Sequence, residues 1–366
     1  MRAGQARLRV LLALSRADRA PRSRTGGARG ERPGSRAGLS AARADPLGAL
    51  RAGGKRAMAL ALARIEAAPG ERHTLALLDA AYADPRAHVV GITGPPGVGK
   101  SSLVSRLIAA YRRQERTVGV IAIDPSSRRS GGALLGDRTR FEVDPDDQRV
   151  FVRSMASRGR LGGLSALTPA AMVLMRAVYD LVLVETVGVG QAETEVAAVS
   201  DSVVFCVQPG SGDSLQYLKA GIAEIPDVAV VTKSDLGLVA CRTEDDLRAA
   251  LAQQATRTED WPVPVLLISA RDGQGIAELI HALAAHFELL AHGGRLEARR
   301  RAQAASWLDD FVREEHGRTG LARAARLATD AAAEPGGSPF ARMRALHRSL
   351  QRTEAPPPPV RPWFRD

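Results

Sequence analysis

The sequence predicts an α/β fold, a mostly parallel sheet covered by helices on both faces. Three observations carry this. Short runs of apolar, often β-branched residues recur through the middle of the chain, as buried parallel strands require. Stretches with helical apolar spacing alternate with them. At 366 residues and 45% hydrophobic content, the chain can bury a large core.

The elements follow in order. Residues 46–83 repeat apolar positions at helical spacing, broken at Pro69-Gly70. HVVGIT (88–93) is a strand that runs into a Gly-rich turn and a helix from about Lys100 to Gln114. TVGVIAID (117–124) and the shorter RVFVRS (149–154) are strands. TPAAMVLMRAV is helical, and YDLVLVET (179–186) is a buried strand. AETEVAAVSD reads as a short helix, SVVFCVQ (202–208) as a strand and SLQYLKAGIAE as a helix. DVAVVTK (227–233) is a strand, EDDLRAALAQQ a helix, VPVLLIS (263–269) a strand and GIAELIHALAAHFELL a helix. Residues 295–330 form a long charged helix in which Trp307, Leu308, Phe311 and Val312 make an apolar stripe. That stripe can pack on its own domain or serve as a dimer arm.

The resulting organisation has five parts. A basic leader (1–44) precedes a helical extension (45–86) and a nucleotide-binding domain (87–293). A helical arm (294–330) and a Pro-rich tail (331–366), expected to be poorly ordered, complete the chain.

Charge and cysteine content exclude several classes. The net charge is +11, but residues 1–44 carry eleven arginines against Asp18 and Glu31, which accounts for +9 of it. The remainder is nearly neutral, so no nucleic-acid-binding face is expected. The leader fits a disordered extension, a mitochondrial transit peptide or an electrostatic tether. Two cysteines, Cys206 and Cys241, argue against a disulfide framework and, with scattered histidines, against a zinc cluster. No apolar run is long enough to span a bilayer. A cytoplasmic protein is expected, or a mitochondrial matrix protein if the leader is a transit peptide.

Only four lysines occur beside 47 arginines: Lys55, Lys100, Lys219 and Lys233. Where arginine serves for most positive charge, a retained lysine marks a need for a compact, flexible ammonium. Two of the four fall in nucleotide motifs. Gly94-Pro95-Pro96-Gly97-Val98-Gly99-Lys100-Ser101-Ser102, between a strand and a helix, is a P-loop. Its glycines let backbone N–H groups surround phosphate, with the helix N-terminus behind them. Lys100 is placed to reach the β- and γ-phosphates and Ser101 to bind Mg²⁺. Asp124 ends a strand, Asp137 sits in SRRSGGALLGDRTR, and Glu185 ends LVLVE; all three are candidate Mg²⁺ partners. Glu185-Thr186-Val187-Gly188 reads as the γ-phosphate-sensing motif of GTPases, with Glu where Asp is usual.

TKSD (232–235) follows another apolar strand. Asp235 is placed to accept two hydrogen bonds from guanine, and the Lys233 stem to pack on the base. Thr232 stands where GTPases usually have Asn, as in signal-recognition GTPases, and is expected to weaken nucleotide affinity. Ser269-Ala270-Arg271 reads as the loop whose backbone caps guanine O6. Gln191 could orient a water, or simply start a helix. Arg128, Arg129, Arg138 and Arg140 read as partner-surface electrostatics rather than catalytic groups.

IDPSSRRSGGALLGDRTR, RSMASRGRLGGLS, VETVGVGQAETEVA and PGSGDSLQYLKAGI together resemble the methylmalonyl-CoA mutase-associated GTPase family, also labelled lysine/arginine/ornithine transport ATPase or kinase. The resemblance covers roughly residues 46–315. It implies a homodimeric GTPase that gates and protects an adenosylcobalamin-dependent acyl-CoA mutase. It implies that Lys100, Ser101, Asp124, Asp137 and Glu185 surround Mg²⁺-GTP, and that Lys219 lies in a third switch loop answering to the partner. Candidate catalytic residues are thus Lys100, Asp124, Asp137, Glu185 and Lys219. Rival readings are a nickel-delivering metallochaperone GTPase, which needs a Cys/His cluster, and an ATP-dependent kinase of amino-acid transport.

Overall fold

The computed structural model describes residues 45–124, 141–156, 167–186, 195–210, 226–253, 261–330 and 338–352. Seven strands form one sheet in the order β3-β2-β4-β1-β5-β6-β7, and every pairing is parallel. They are β1 (His88–Thr93), β2 (Val118–Asp124), β3 (Val150–Ala156), β4 (Leu181–Glu185), β5 (Ser202–Val207), β6 (Val228–Val231) and β7 (Val265–Leu267). β1, β4 and β5 are buried at every position because helices cover both faces. β7 spans only three residues of the longer run expected there.

Three short helices precede the sheet: α1 (Pro46–Ala52), α2 (Gly54–Ala67) and α3 (Arg72–Ala83). Asp45 caps α1, its carboxylate accepting the Gly48 N–H at 2.9 Å, and Pro46 pre-sets the first helical turn. Beyond the break at Pro69-Gly70, a second one falls at Gly53-Gly54, where Gly54 has φ 58°. These helices, with α5 (Thr168–Val178), pack on one face of the sheet. α5 lies between α3 and the strands, so Met172, Val173, Leu174 and Met175 are all fully buried. The other face is covered by α4 (Lys100–Arg113) and α7 (Ile276–Ala291). α6 (Leu238–Gln253) covers the β6–β7 side.

One sequence reading changes, and two fall partly or wholly outside the described residues. Of the short helix expected in AETEVAAVSD, the described part is Glu195, which is helical, and a 3₁₀ turn at Val196–Ala198. The helix expected at SLQYLKAGIAE lies outside the described residues. The tail expected to be poorly ordered contains a helix, α9 (Pro339–Arg352). Ser338 caps it, its hydroxyl accepting the Ala341 N–H at 3.2 Å. Phe340 and Leu350 are buried, with Met343 and Leu346 packed beside them. That three- to four-residue spacing is a helical seam which the Pro-rich run after it obscured.

α8 (Arg295–Asp330) breaks at Gly317, where φ is 64°. Its apolar stripe is covered by the chain itself. The Trp307 indole N–H donates to the Ala198 carbonyl at 2.7 Å. Val312 packs with Leu308, Phe311, Leu321, Leu346 and Leu350.

Candidate functional site

The C-terminal ends of β1, β4, β5 and β6 converge on one edge of the sheet, where a strand order that reverses around β1 opens a crevice. The loop 94–99 leaves β1 there and enters α4. Three of its glycines have positive φ: Gly94 at 137°, Gly97 at 73° and Gly99 at 101°. Gly94 has a second constraint, because a Cβ there would lie 2.1 Å from the Cys206 carbonyl oxygen. Only glycine allows the loop to sit this close to β5. Pro95 is partly exposed, Pro96 and Gly97 are exposed, and Val98 is buried in the core beneath the loop. Ser102 faces solvent on the first turn of α4.

Lys100 is buried, and its ammonium donates to the Gly94 carbonyl at 2.7 Å and the Pro95 carbonyl at 2.9 Å. The positive charge therefore sits inside the curl of the loop. The Ser101 hydroxyl donates to Glu185 Oε1 at 2.7 Å. Glu185 is 1% exposed, an acid held at the end of β4 between β1 and β2. The Cys206 thiol is pushed up to about 12 by burial, so it stays neutral beside Lys100 and Glu185. Asp124 ends β2 two residues beyond Ala122, the register partner of Glu185. The Asp124 side chain and residues Asp137, Gly188, Gln191 and Lys219 lie outside the described residues, as do Arg128, Arg129, Arg138 and Arg140.

Hard oxygen donors suit Mg²⁺, which keeps waters and takes one or two protein oxygens besides substrate phosphates. The Ser101 hydroxyl and the Glu185 carboxylate fit that need. Among the described residues no group of three or more His, Cys, Asp or Glu could hold a metal ion. Nothing there supplies the Cys/His cluster that a nickel carrier requires.

The second half of the site follows β6. Thr232 is buried, and its hydroxyl lies 2.7 Å from the Val98 carbonyl and 3.0 Å from the Val207 carbonyl. Lys233 adopts a left-handed conformation (φ 53°, ψ 42°). Its ammonium donates to the Gly97 carbonyl at 3.1 Å and to Gln208 Oε1 at 2.6 Å, so its stem crosses the P-loop. Asp235 is exposed, and Ser269, fully buried, donates to its Oδ1 at 3.1 Å. The Ser234 N–H donates to the Ile268 carbonyl at 3.1 Å, joining the two loops directly.

A family model described as methylmalonyl Co-A mutase-associated GTPase MeaB matches residues 56–323. The chain belongs to this family. A Pyrococcus abyssi protein named as a GTPase is 44% identical over 228 residues, 62% of this chain and 70% of that one. The mitochondrial methylmalonic aciduria type A homolog of Mus musculus is 39% identical over 236 residues. That match takes in 63% of this chain but only 57% of the mouse protein. A crystal structure described as LAO/AO transport system kinase superposes with a TM-score of 0.59 at 27% identity, covering 84% of this chain and 97% of its own. The P-loop of this MeaB-family protein thus belongs to a GTP hydrolase.

Three features of this GTPase were missed in the sequence. Gln208 follows β5 and receives the Lys233 ammonium. Asp272 shares the Ser269 hydroxyl, its Oδ2 3.1 Å away. Arg106, on α4, donates to the carbonyls of Ala270 and Arg271. A helical residue six positions past the P-loop lysine carries no local signal of reaching a loop 164 positions later.

Proposed function

We propose that this GTPase is a gatekeeper of an adenosylcobalamin-dependent acyl-CoA mutase, working as a homodimer. The observation that carries this is the family match, which runs from α2 through every nucleotide motif and into α8 under a mutase-associated description. The cobalamin belongs to the partner. The proposed compartment is the cytoplasm, or the mitochondrial matrix with residues 1–44 as the address. Among the described residues no helix is long and apolar enough to cross a membrane.

The proposed hydrolysis assigns each residue a task. Backbone N–H groups of Gly97, Val98, Gly99, Lys100, Ser101 and Ser102 cradle phosphate oxygens at the start of α4. Lys100 exchanges the Gly94 and Pro95 carbonyls for phosphate oxygens and stabilises the charge that spreads over the transferring group. Glu185 accepts the Ser101 hydroxyl hydrogen bond, which turns an oxygen lone pair toward the nucleotide. Ser101 and Glu185, with Asp124 and Asp137 as further partners, would hold Mg²⁺, which would neutralise negative charge on the phosphates. Gly188 senses the γ-phosphate and Lys219 transmits the partner's state. Asp235 accepts guanine N1–H and the 2-amino group, with Thr232 and Lys233 beneath the base and loop 269–271 above O6.

The test is GTP turnover with and without methylmalonyl-CoA mutase loaded with adenosylcobalamin. Stimulation and a stable complex are expected; absence of both overturns the proposal. Lys219→Ala is expected to keep GTP binding and lose the stimulation. The LAO/AO kinase structure favours a second reading, an ATP-dependent enzyme of amino-acid transport. ATP preference that survives Asp235→Ala would select it.

A further inference from the structure

Arg106 lies on the exposed side of α4, six residues past Lys100. Its Nε–H donates to the Ala270 carbonyl, and its Nη2 donates to the Arg271 carbonyl at 2.8 Å. One planar guanidinium therefore grips two successive peptide groups, a fork geometry that lysine cannot reproduce. In a trans peptide the C=O and the following N–H point in opposite directions. Pinning both carbonyls onto α4 therefore turns the N–H groups of Arg271 and Asp272 away from it. The Asp272 N–H meets Ser269 Oγ at 3.2 Å. That same hydroxyl donates to Asp235. The loop is fixed from α4 on one side and, through the Ser269 hydroxyl, from Asp235 on the other.

We infer that Arg106 is a positioning residue for guanine recognition. It holds loop 269–272 so that backbone N–H groups meet the 6-oxo group while Asp235 takes N1–H beside it. This rests on the reading of Asp235 and loop 269–271 as the base pocket. It makes a residue of the phosphate-binding helix a determinant of base selectivity. Because Arg106 is exposed and competes with water, the effect is expected to be about tenfold in affinity, which corresponds to about 1.4 kcal/mol.

The experiment compares the full-length protein with Arg106→Ala for binding of GTP and of 6-thio-GTP, which keeps N1–H and the 2-amino group but weakens the acceptor at position 6. The unsubstituted protein is expected to prefer GTP. Arg106→Ala is expected to lose about tenfold for GTP and far less for 6-thio-GTP, so the gap narrows. Arg106→Lys should recover part of the gap. Arg106→Gln, which keeps one donor, carries the same comparison if the alanine variant does not fold. An unchanged gap, with or without a uniform loss of affinity, overturns the inference and leaves Arg106 a structural contact. Asp235→Asn serves as the independent control and should shift preference from GTP to xanthosine triphosphate. Failure of that shift overturns the base pocket itself, and the inference with it.

Discussion

Thr232 shows how much one hydroxyl can do. The sequence marked it as a departure expected to weaken nucleotide binding. Its short β-branched side chain nevertheless bridges Val98 in the P-loop to Val207 at the end of β5. Thr232→Val keeps the shape and removes the donor, leaving two buried carbonyls with a poorer set of partners. We expect a loss of about 1–3 kcal/mol in stability, and faster GDP release because the two halves of the site are no longer joined. Urea unfolding and the GDP dissociation rate read the two effects; an unchanged rate would separate Thr232 from the site. Gly94 gives a sharper case. Gly94→Ala must accept both an unfavourable φ of 137° and a Cβ 2.1 Å from backbone oxygen. The cost should be at least about 2 kcal/mol, seen as lost GTP affinity or a lower melting temperature. Both positions were visible in the sequence because their motifs are contiguous. Arg106 was not, because its partners come from the far end of the domain.

At the scale of elements, what was legible depended on whether an element's burial left a local trace. β1, β4, β5 and β6 are buried at every position and mostly apolar, so all seven strands could be placed in the sequence, although β7 is shorter than its apolar run. α9 was missed because its seam of Phe340, Met343, Leu346 and Leu350 is only about three turns long and is followed by a run of prolines. α8 could be seen as a helix, but its sequence could not say what its stripe faces. It faces its own chain. Trp307 donates to Ala198, and Gln303 Nε2 donates to the carbonyls of Ala197 at 2.9 Å and Ser200 at 2.8 Å. α8 therefore clasps the 3₁₀ turn at Val196–Ala198, between β4 and β5. Trp307→Ala should cost about 3–5 kcal/mol through lost packing and an orphaned carbonyl. Ending the chain at residue 337 removes the cover over Val312 and its neighbours. That variant should self-associate in a concentration-dependent way by light scattering, whereas an unaltered association state would show that α9 is dispensable to the stripe.

The whole molecule is polarised along its sheet. The nucleotide machinery sits at the C-terminal ends of the strands, and a buried polar chain sits at the N-terminal ends. No sequence pattern announced that chain, because its members lie between positions 88 and 300 and meet only once the sheet is wound. Ser202 Oγ is 2.7 Å from both His88 Nε2 and His286 Nδ1, and His286 Nε2 is 3.3 Å from Asp227. Burial favours the neutral form of both rings, and with both neutral one arrangement satisfies all of these: His88 donates to Ser202, Ser202 donates to His286, and His286 donates to Asp227. α8 closes the chain from outside, Arg299 binding Asp227 at 2.9 Å and Arg300 binding Asp201 at 2.7 Å. Burial lowers His88 to about 3 and also lowers His286, although Asp227 pulls the latter back. A ring held neutral in the fold takes up a proton in the unfolded chain below about pH 6.5. Its stabilisation is therefore complete above that pH and is lost as pH falls toward the folded value. Burial also pushes Asp201 up, but the Arg300 hydrogen bonds and charge, with His88 and the Val89 N–H, bring it below its usual value. Its contribution is lost only in stronger acid, below the ordinary carboxylate range. Urea unfolding between pH 7.5 and 5 should show stability falling by up to about 1.4 kcal/mol per pH unit for each such ring. His88→Gln, which keeps a donor toward Ser202 but cannot titrate, should be less stable at pH 7.5 and show a shallower slope. Equal slopes in the two proteins would mean that His88 is not neutral in the fold, and that the direction assigned to the polar chain is wrong.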